Sequence, residues 1–137
     1  MSYLLDTNVI SEVVKSNPDN NVLQWFKSVP NEALFISVLT LGEIRKGTEG
    51  VKDVKRKEKL LLWLEIELPR WFDGRVLNID LHVADRWGRL QSEMKKPIPA
   101  IDSLLAATAI QHDLRLVTRN VKDFKFPALH VICPWNT

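Results

Sequence analysis

The chain has 137 residues, 45% of them hydrophobic and 26% charged, with a net charge of +2. This composition excludes a disordered chain and fits one domain over residues 1–137, large enough to bury a core. The one cysteine, Cys133, excludes an internal disulfide and a cysteine-ligated zinc.

Tyr3 to Leu5 is a short apolar run that stops at Asp6, as a buried strand does. Residues 7–15 put Val9, Ile10, Val13 and Val14 on one helical face, and Asn17-Pro18 ends that helix. Asp19 caps a second helix, with Val22, Leu23, Trp25 and Phe26 as its apolar contacts. Residues 33–37 read as the second strand, after which a helical pattern runs through Leu39, Gly42, Glu43 and Lys46. One long helix is expected over 51–68, with Leu60, Leu61, Leu64 and Leu68 at core spacing. A brief strand follows at 75–79. Asp80 caps the next helix, whose core face repeats through Val83, Trp87, Leu90 and Met94. Pro97 and Pro99 force an extended link before a small-residue helix over 101–112. Strands at 115–118 and 130–133 complete the series. Strands and helices that alternate over connections this long predict a three-layer α/β/α fold around a central parallel sheet.

In open sheets of this kind, ligands gather beyond the carboxyl ends of the strands. Asp6 is the first residue after strand one, and Glu43 falls in the first two turns of the helix after strand two. Asp102 opens the helix after Pro99. Asn120 follows the strand LVT, with Asp123 a short turn further on. Each of these alone also suits a helix cap or a first-turn acid. Brought together, the carboxylates repel, so that one takes up a proton or a cation sits between them. Every donor is a hard oxygen, which selects Mg²⁺ or Mn²⁺ over zinc or copper. Thr7, Asn8 and Thr118 lie beside the acids, where they orient carboxylates, meet a phosphate or cap helices.

The stretches LLDTNVISE, SVLTLGEIRKG, IDSLLAATAI and LVTRNVKDF, in this order and at this spacing, resemble the PIN domain. The likeness is greatest to bacterial toxins of the VapC and FitB type, and Pro134-Trp135 near the end adds to it. The resemblance implies a metal-dependent endoribonuclease whose core acids are Asp6, Glu43 and Asp102. The fourth acidic position falls on Asn120, which leaves one charge fewer; Asp123 either supplies it or simply forms the turn. In the implied mechanism Asp6 and Asp102 hold the main metal, Glu43 ligates it or orients the attacking water, and Asn120 positions a water. Hydrolysis by that route leaves a 5′-phosphate and a 3′-hydroxyl. The resemblance further implies an RNA substrate, a cognate DNA-binding antitoxin with an inhibitory tail, and a homodimer.

Arg45 and Lys46, within a turn of Glu43, are candidates for RNA phosphate contact, whereas Lys52, Lys55, Arg56, Lys57 and Lys59 read as a solvated helix face. Trp25-Phe26, Trp63 and Trp71-Phe72 suggest apolar surface for an antitoxin peptide or a dimer. His82, His112 and His130 are too scattered for acid–base work. No apolar run nears the ~18 residues of a membrane span, and MSYLLDTNVIS lacks a basic start, so a cytoplasmic protein without signal peptide is expected. Two rival readings stand. A phosphotransferase using Asp6 as nucleophile wants an aspartate where Asn8 stands, and a lysine for which Lys122 is a loose fit. A non-catalytic PIN-like module that binds RNA or protein draws its support from Asn120.

Overall fold

The computed structural model describes residues 1–135. Leu4 and Leu5 are both fully buried, yet they belong to opposite sides of the molecule, because successive side chains of a strand point to opposite faces. Leu116 and Val117 repeat the pattern on the neighbouring strand. Five parallel strands form the sheet: β1 (Tyr3–Leu5), β2 (Leu34–Ser37), β3 (Val76–Leu77), β4 (Arg115–Val117) and β5 (Val131–Ile132). Their spatial order is β3-β2-β1-β4-β5. Tyr3 stands opposite both Leu34 and Arg115, which puts β1 at the centre.

One face of the sheet is covered by α1 (Thr7–Glu12), α3 (Val38–Glu49) and α5 (Leu68–Trp71), with α4 (Val54–Leu62) packed against α3. Here Leu5, Val9, Ile44, Trp63, Leu68 and Phe72 form one core, with Trp25 and Phe26 of α2 (Asn20–Ser28) at its margin. The other face is covered by α6 (Leu81–Glu93) and α7 (Ala100–Gln111), where Leu4, Leu90, Leu105 and Phe124 pack around Ala106 and Ala109. Small side chains let α7 lie close to the strands. The expected three-layer α/β fold is therefore the one observed.

Local chemistry sets the helix boundaries. Asp19 caps α2 by accepting from the N–H groups of Asn21 and Val22, and Asp80 caps α6 through Val83. The first helix stops at Glu12, short of the expected Lys15. The Glu12 carboxylate accepts from the Asp19 N–H at 2.8 Å and so bends the chain back. The helix expected over 51–68 is instead broken. A π-helical segment, Trp63–Glu67, separates α4 from α5, with the Leu68 N–H bonded to the Trp63 carbonyl. Pro69 gives the reason: it has no N–H to donate to Glu65, and its ring would strike that carbonyl in an unbroken α-helix.

The strand at 75–79 shortens to two residues, and Ala33 closes a 3₁₀ turn rather than opening β2. The last two strands likewise end one residue short of the expected 118 and 133. Trp87 is half-buried rather than core, its indole N–H donating to Ser103 Oγ at 2.8 Å. At the end of α7, Asp113 adopts φ 53° while Leu114 N–H reaches back to the Ala109 carbonyl. This left-handed stop usually carries glycine. No helix among the described residues is long and apolar enough to cross a membrane.

Candidate active site

Strand order reverses at β1, whose neighbours are β2 on one side and β4 on the other. The carboxyl ends of β1 and β4 therefore open onto the crevice where such sheets bind ligands. Asp6 stands at this point. Its N–H extends the ladder to the Val117 carbonyl at 2.9 Å, and its side chain caps α1 by accepting from the Thr7 N–H at 2.8 Å. The other carboxylate oxygen accepts from Thr118 Oγ1 at 2.8 Å. Sheet, helix and threonine thus fix both carboxylate oxygens.

Thr118 is the hub of this arrangement. While its hydroxyl donates to Asp6, its oxygen accepts from the Asn120 N–H at 3.1 Å and lies 3.4 Å from Asn8 Nδ2. The Asn8 amide also lies 3.4 Å from Asp6 and accepts from the Arg119 N–H at 3.2 Å. Asn8 is thus a bracket between the two strand ends, which removes the acidic neighbour that the phosphotransferase reading wants.

Glu43 reaches the site from α3. It is exposed, and Thr7 Oγ1 donates to its carboxylate at 2.6 Å. Asp102 sits in the first turn of α7 and is half-buried. Asn120 precedes the 3₁₀ turn Val121–Asp123, and the Asp123 N–H bonds back to the Asn120 carbonyl at 3.0 Å.

Electrostatics tie these acids together. Burial raises the Asp6 pKa above the ordinary carboxylate value, the Thr118 and Thr7 hydrogen bonds oppose the rise, and the charges of Glu43 and Asp102 add to it. Asp102 is raised by burial, then by Asp123 and Glu43. Asp6, Glu43 and Asp102 are therefore within one another's electrostatic reach, and Asp123 reaches Asp102. Among the described residues no three His, Cys, Asp or Glu side chains close tightly enough to form a ready-made metal site. Mutual repulsion holds such acids apart, and the donor set of hard oxygens fits a small divalent cation that would offset it.

Of the basic residues flanking Glu43, Arg45 is engaged by Glu49 at 3.3 Å and Glu65 at 2.8 Å, tying α3 to the π segment. Lys46 instead lines an open apolar groove of about 770 Å³ along α3, beside Glu43, Gly42, Gly47 and Ile101. His82, His112 and His130 are exposed and separate from one another. Arg119 was passed over in the sequence. The available signal was its place between Thr118 and Asn120, one residue past a buried strand end.

A parallel α/β sheet with acids at its topological switch point defines the class of doubly wound proteins that bind a ligand in this crevice. The PIN domain matches residues 3–127, and the chain belongs to that family. It is 36% identical to "VapC ribonuclease Y4jK" of Sinorhizobium fredii over 96% of each chain. It is 37% identical to "Toxin FitB" of Neisseria gonorrhoeae, covering 97% of this chain and 98% of that one. The crystal structure of FitAcB from Neisseria gonorrhoeae superposes with a TM-score of 0.90 at 35% identity, over 98% of this chain and 99% of that one.

Proposed function

We propose that this chain is a Mg²⁺- or Mn²⁺-dependent endoribonuclease of the VapC/FitB type, a toxin held in check by a cognate antitoxin. The observation that carries this reading is the gathering of acids at the strand ends: Thr118 and the Thr7 N–H hold the two Asp6 oxygens, Thr7 Oγ1 ties Glu43 beside them, and Asp102 lies within electrostatic reach of both. A site that gathers repelling acids and offers only hard oxygen donors suits a divalent ion. The names of the Sinorhizobium and Neisseria relatives support the ribonuclease and toxin assignments.

In this reading Asp6, Glu43 and Asp102 hold the metal, and Asp123 supplies the fourth charge that Asn120 lacks. When bound, the ion supplies Lewis-acid stabilisation of the charge that develops on the phosphodiester. The protein does the rest by position. Thr118 and the Thr7 N–H hold the Asp6 oxygens in place, at 2.8 Å each, and favour their charged form against burial. Thr7 Oγ1 fixes one Glu43 oxygen and leaves the other to ligate the ion or to orient the attacking water. The Asn120 amide orients that water, and Lys46 contacts RNA phosphate from the groove beside Glu43.

A ribonuclease free in the cytoplasm would damage its host, so the protein needs a restraining partner. The groove along α3, with Ile101 exposed at its edge, suits the apolar side of an antitoxin tail, and the acids beside it suit a basic residue on that tail. The antitoxin also binds DNA, and the toxin is a homodimer.

The test is cleavage of RNA with Mg²⁺ or Mn²⁺ by the unaltered chain and by Asp6→Ala and Asp102→Ala. The expected products carry a 5′-phosphate and a 3′-hydroxyl, and both variants lose the activity. Undiminished cleavage by both variants, or a cyclic phosphate product, overturns the mechanism.

A further inference from the structure

The rim of acids poses a difficulty for a polyanion. Asp6, Glu43, Asp102 and Asp123 all repel the RNA backbone, and a metal offsets only part of that charge. A strand lying across this site needs cations set where its flanking phosphates fall. Lys46 offers one on the α3 side. On the β4 side, the residue between Thr118 and Asn120 is Arg119.

Arg119 is fixed at both ends. Its N–H donates to Asn8 Oδ1 at 3.2 Å, so its backbone moves with the bracket that touches Asp6 and Thr118. Its guanidinium lies 5.1 Å from the centre of the Trp135 ring. Trp135 is itself held, its carbonyl by Asn21 Nδ2 at 3.0 Å and its half-buried side chain by packing against the core. Glu12 lies within electrostatic reach of Arg119, but both its oxygens are already in use. One pairs with Lys15 at 2.8 Å and the other accepts from the Asp19 N–H. Among the described residues Arg119 forms no salt bridge, and its side chain donates no hydrogen bond. A guanidinium held over an indole face at this distance gains cation–π attraction and keeps N–H donors for a further partner.

We propose that Arg119, held by Trp135, binds a backbone phosphate of the RNA strand next to the scissile bond. The inference rests on the ribonuclease reading above and adds to it the side from which the strand is gripped. Stacking on an aromatic ring and bidentate donation to phosphate use different parts of the same group, so both hold at once.

The experiment measures anisotropy of a short fluorescein-labelled single-stranded RNA against the full chain, in EDTA, over a range of KCl, with a parallel cleavage assay in Mg²⁺. Arg119→Ala is expected to weaken binding about tenfold and to flatten the plot of log affinity against log salt by about 0.7, the share of one phosphate on a single strand. Arg119→Lys keeps the salt slope and recovers part of the affinity. Trp135→Leu keeps the slope and weakens binding less than the alanine variant does. Arg89→Ala removes the same charge from an exposed i,i+4 pair with Asp85 on α6 and leaves both readings unchanged. Thermal melts by circular dichroism check that each variant is folded.

An Arg119→Ala chain with unchanged affinity and slope, beside an unaltered chain that binds and cuts RNA, overturns the proposal. So does one that binds normally and only cuts more slowly, because that marks a role in ordering Asp6. Loss of antitoxin binding with RNA binding intact also overturns it. If the unaltered chain neither binds nor cuts RNA, the ribonuclease reading itself fails.

Discussion

Thr118 Oγ1 donates a 2.8 Å hydrogen bond to Asp6 across 112 positions of sequence. This bond joins the ends of the two strands that flank the switch point, and it opposes the rise in Asp6 pKa that burial causes. Removing it has a definite sign. In Thr118→Val the Asp6 carboxylate holds its proton more tightly, and that proton competes with a metal. Mn²⁺ affinity measured by calorimetry should fall about tenfold or more, and the loss should be larger at acidic pH than above neutrality. Equal loss at every pH would mean that Thr118 acts by geometry alone.

Asp6→Asn separates stability from function. A carboxylate with a raised folded pKa costs stability at neutral pH, and that cost disappears as pH falls through the folded value toward the ordinary one. Asparagine removes the charge, and it caps a helix as well as aspartate does. The metal-free variant should therefore melt higher than the unaltered protein at pH 7 while cleaving no RNA. Mg²⁺ or Mn²⁺ should raise the melting temperature of the unaltered chain and leave that of the variant unmoved. A variant that melts lower without metal contradicts the electrostatic account of the site.

Glu12 behaves in the opposite sense. Its carboxyl is held below the ordinary range, first by the hydrogen bond from Lys15, against burial, and also by the Asp19 N–H. The stabilisation it gives is complete above the unfolded value of about 4.3 and is lost as pH falls from there through the lower folded value. Melting curves of Glu12→Gln should show a flatter decline below that pH than those of the parent. The variant should already be weaker at neutral pH, because the 13–19 turn has lost its charged anchor.

Asp113 offers a gain. Its φ of 53° ends α7 in the left-handed conformation, which glycine adopts without the Cβ penalty. Asp113→Gly should stabilise the protein by about 0.5 kcal/mol, a fraction of the 1–2 kcal/mol that this conformation costs an ordinary residue. The gain is offset in part by the extra freedom of glycine in the unfolded chain. Chemical denaturation is the check, with cleavage activity expected to stay the same.

Gly47 tests the groove. A Cβ built there meets nothing within 4 Å and Gly47 lines the open groove, so there is space for a side chain to enter it. Glycine inside a helix costs about 1 kcal/mol against alanine, so Gly47→Leu should not lower the melting temperature. Its side chain enters the space that the antitoxin tail is proposed to fill. The variant should still cleave RNA but escape inhibition by the antitoxin in a titration of the two.

The elements that local chemistry specifies could be read directly from the chain. A short apolar run ending at Asp6 marked Tyr3–Leu5, aspartate caps marked α2 and α6, and acids at the end of strand one, early in the helix after strand two and at the start of the helix after Pro99 marked Asp6, Glu43 and Asp102 as candidates. Even the break near Pro69 left a local sign, although the leucine spacing around it argued for an unbroken helix. Other features depended on which distant segments meet. The strand order, the Thr118–Asp6 bond, the reach of Asp123 to Asp102 and the seat of Arg119 on Trp135 all cross long stretches of chain. A cap or an alternating face is fixed by neighbours a few residues away, so it leaves a pattern in any short window. A parallel pairing is fixed by crossover and burial over the whole domain, and no short window records it.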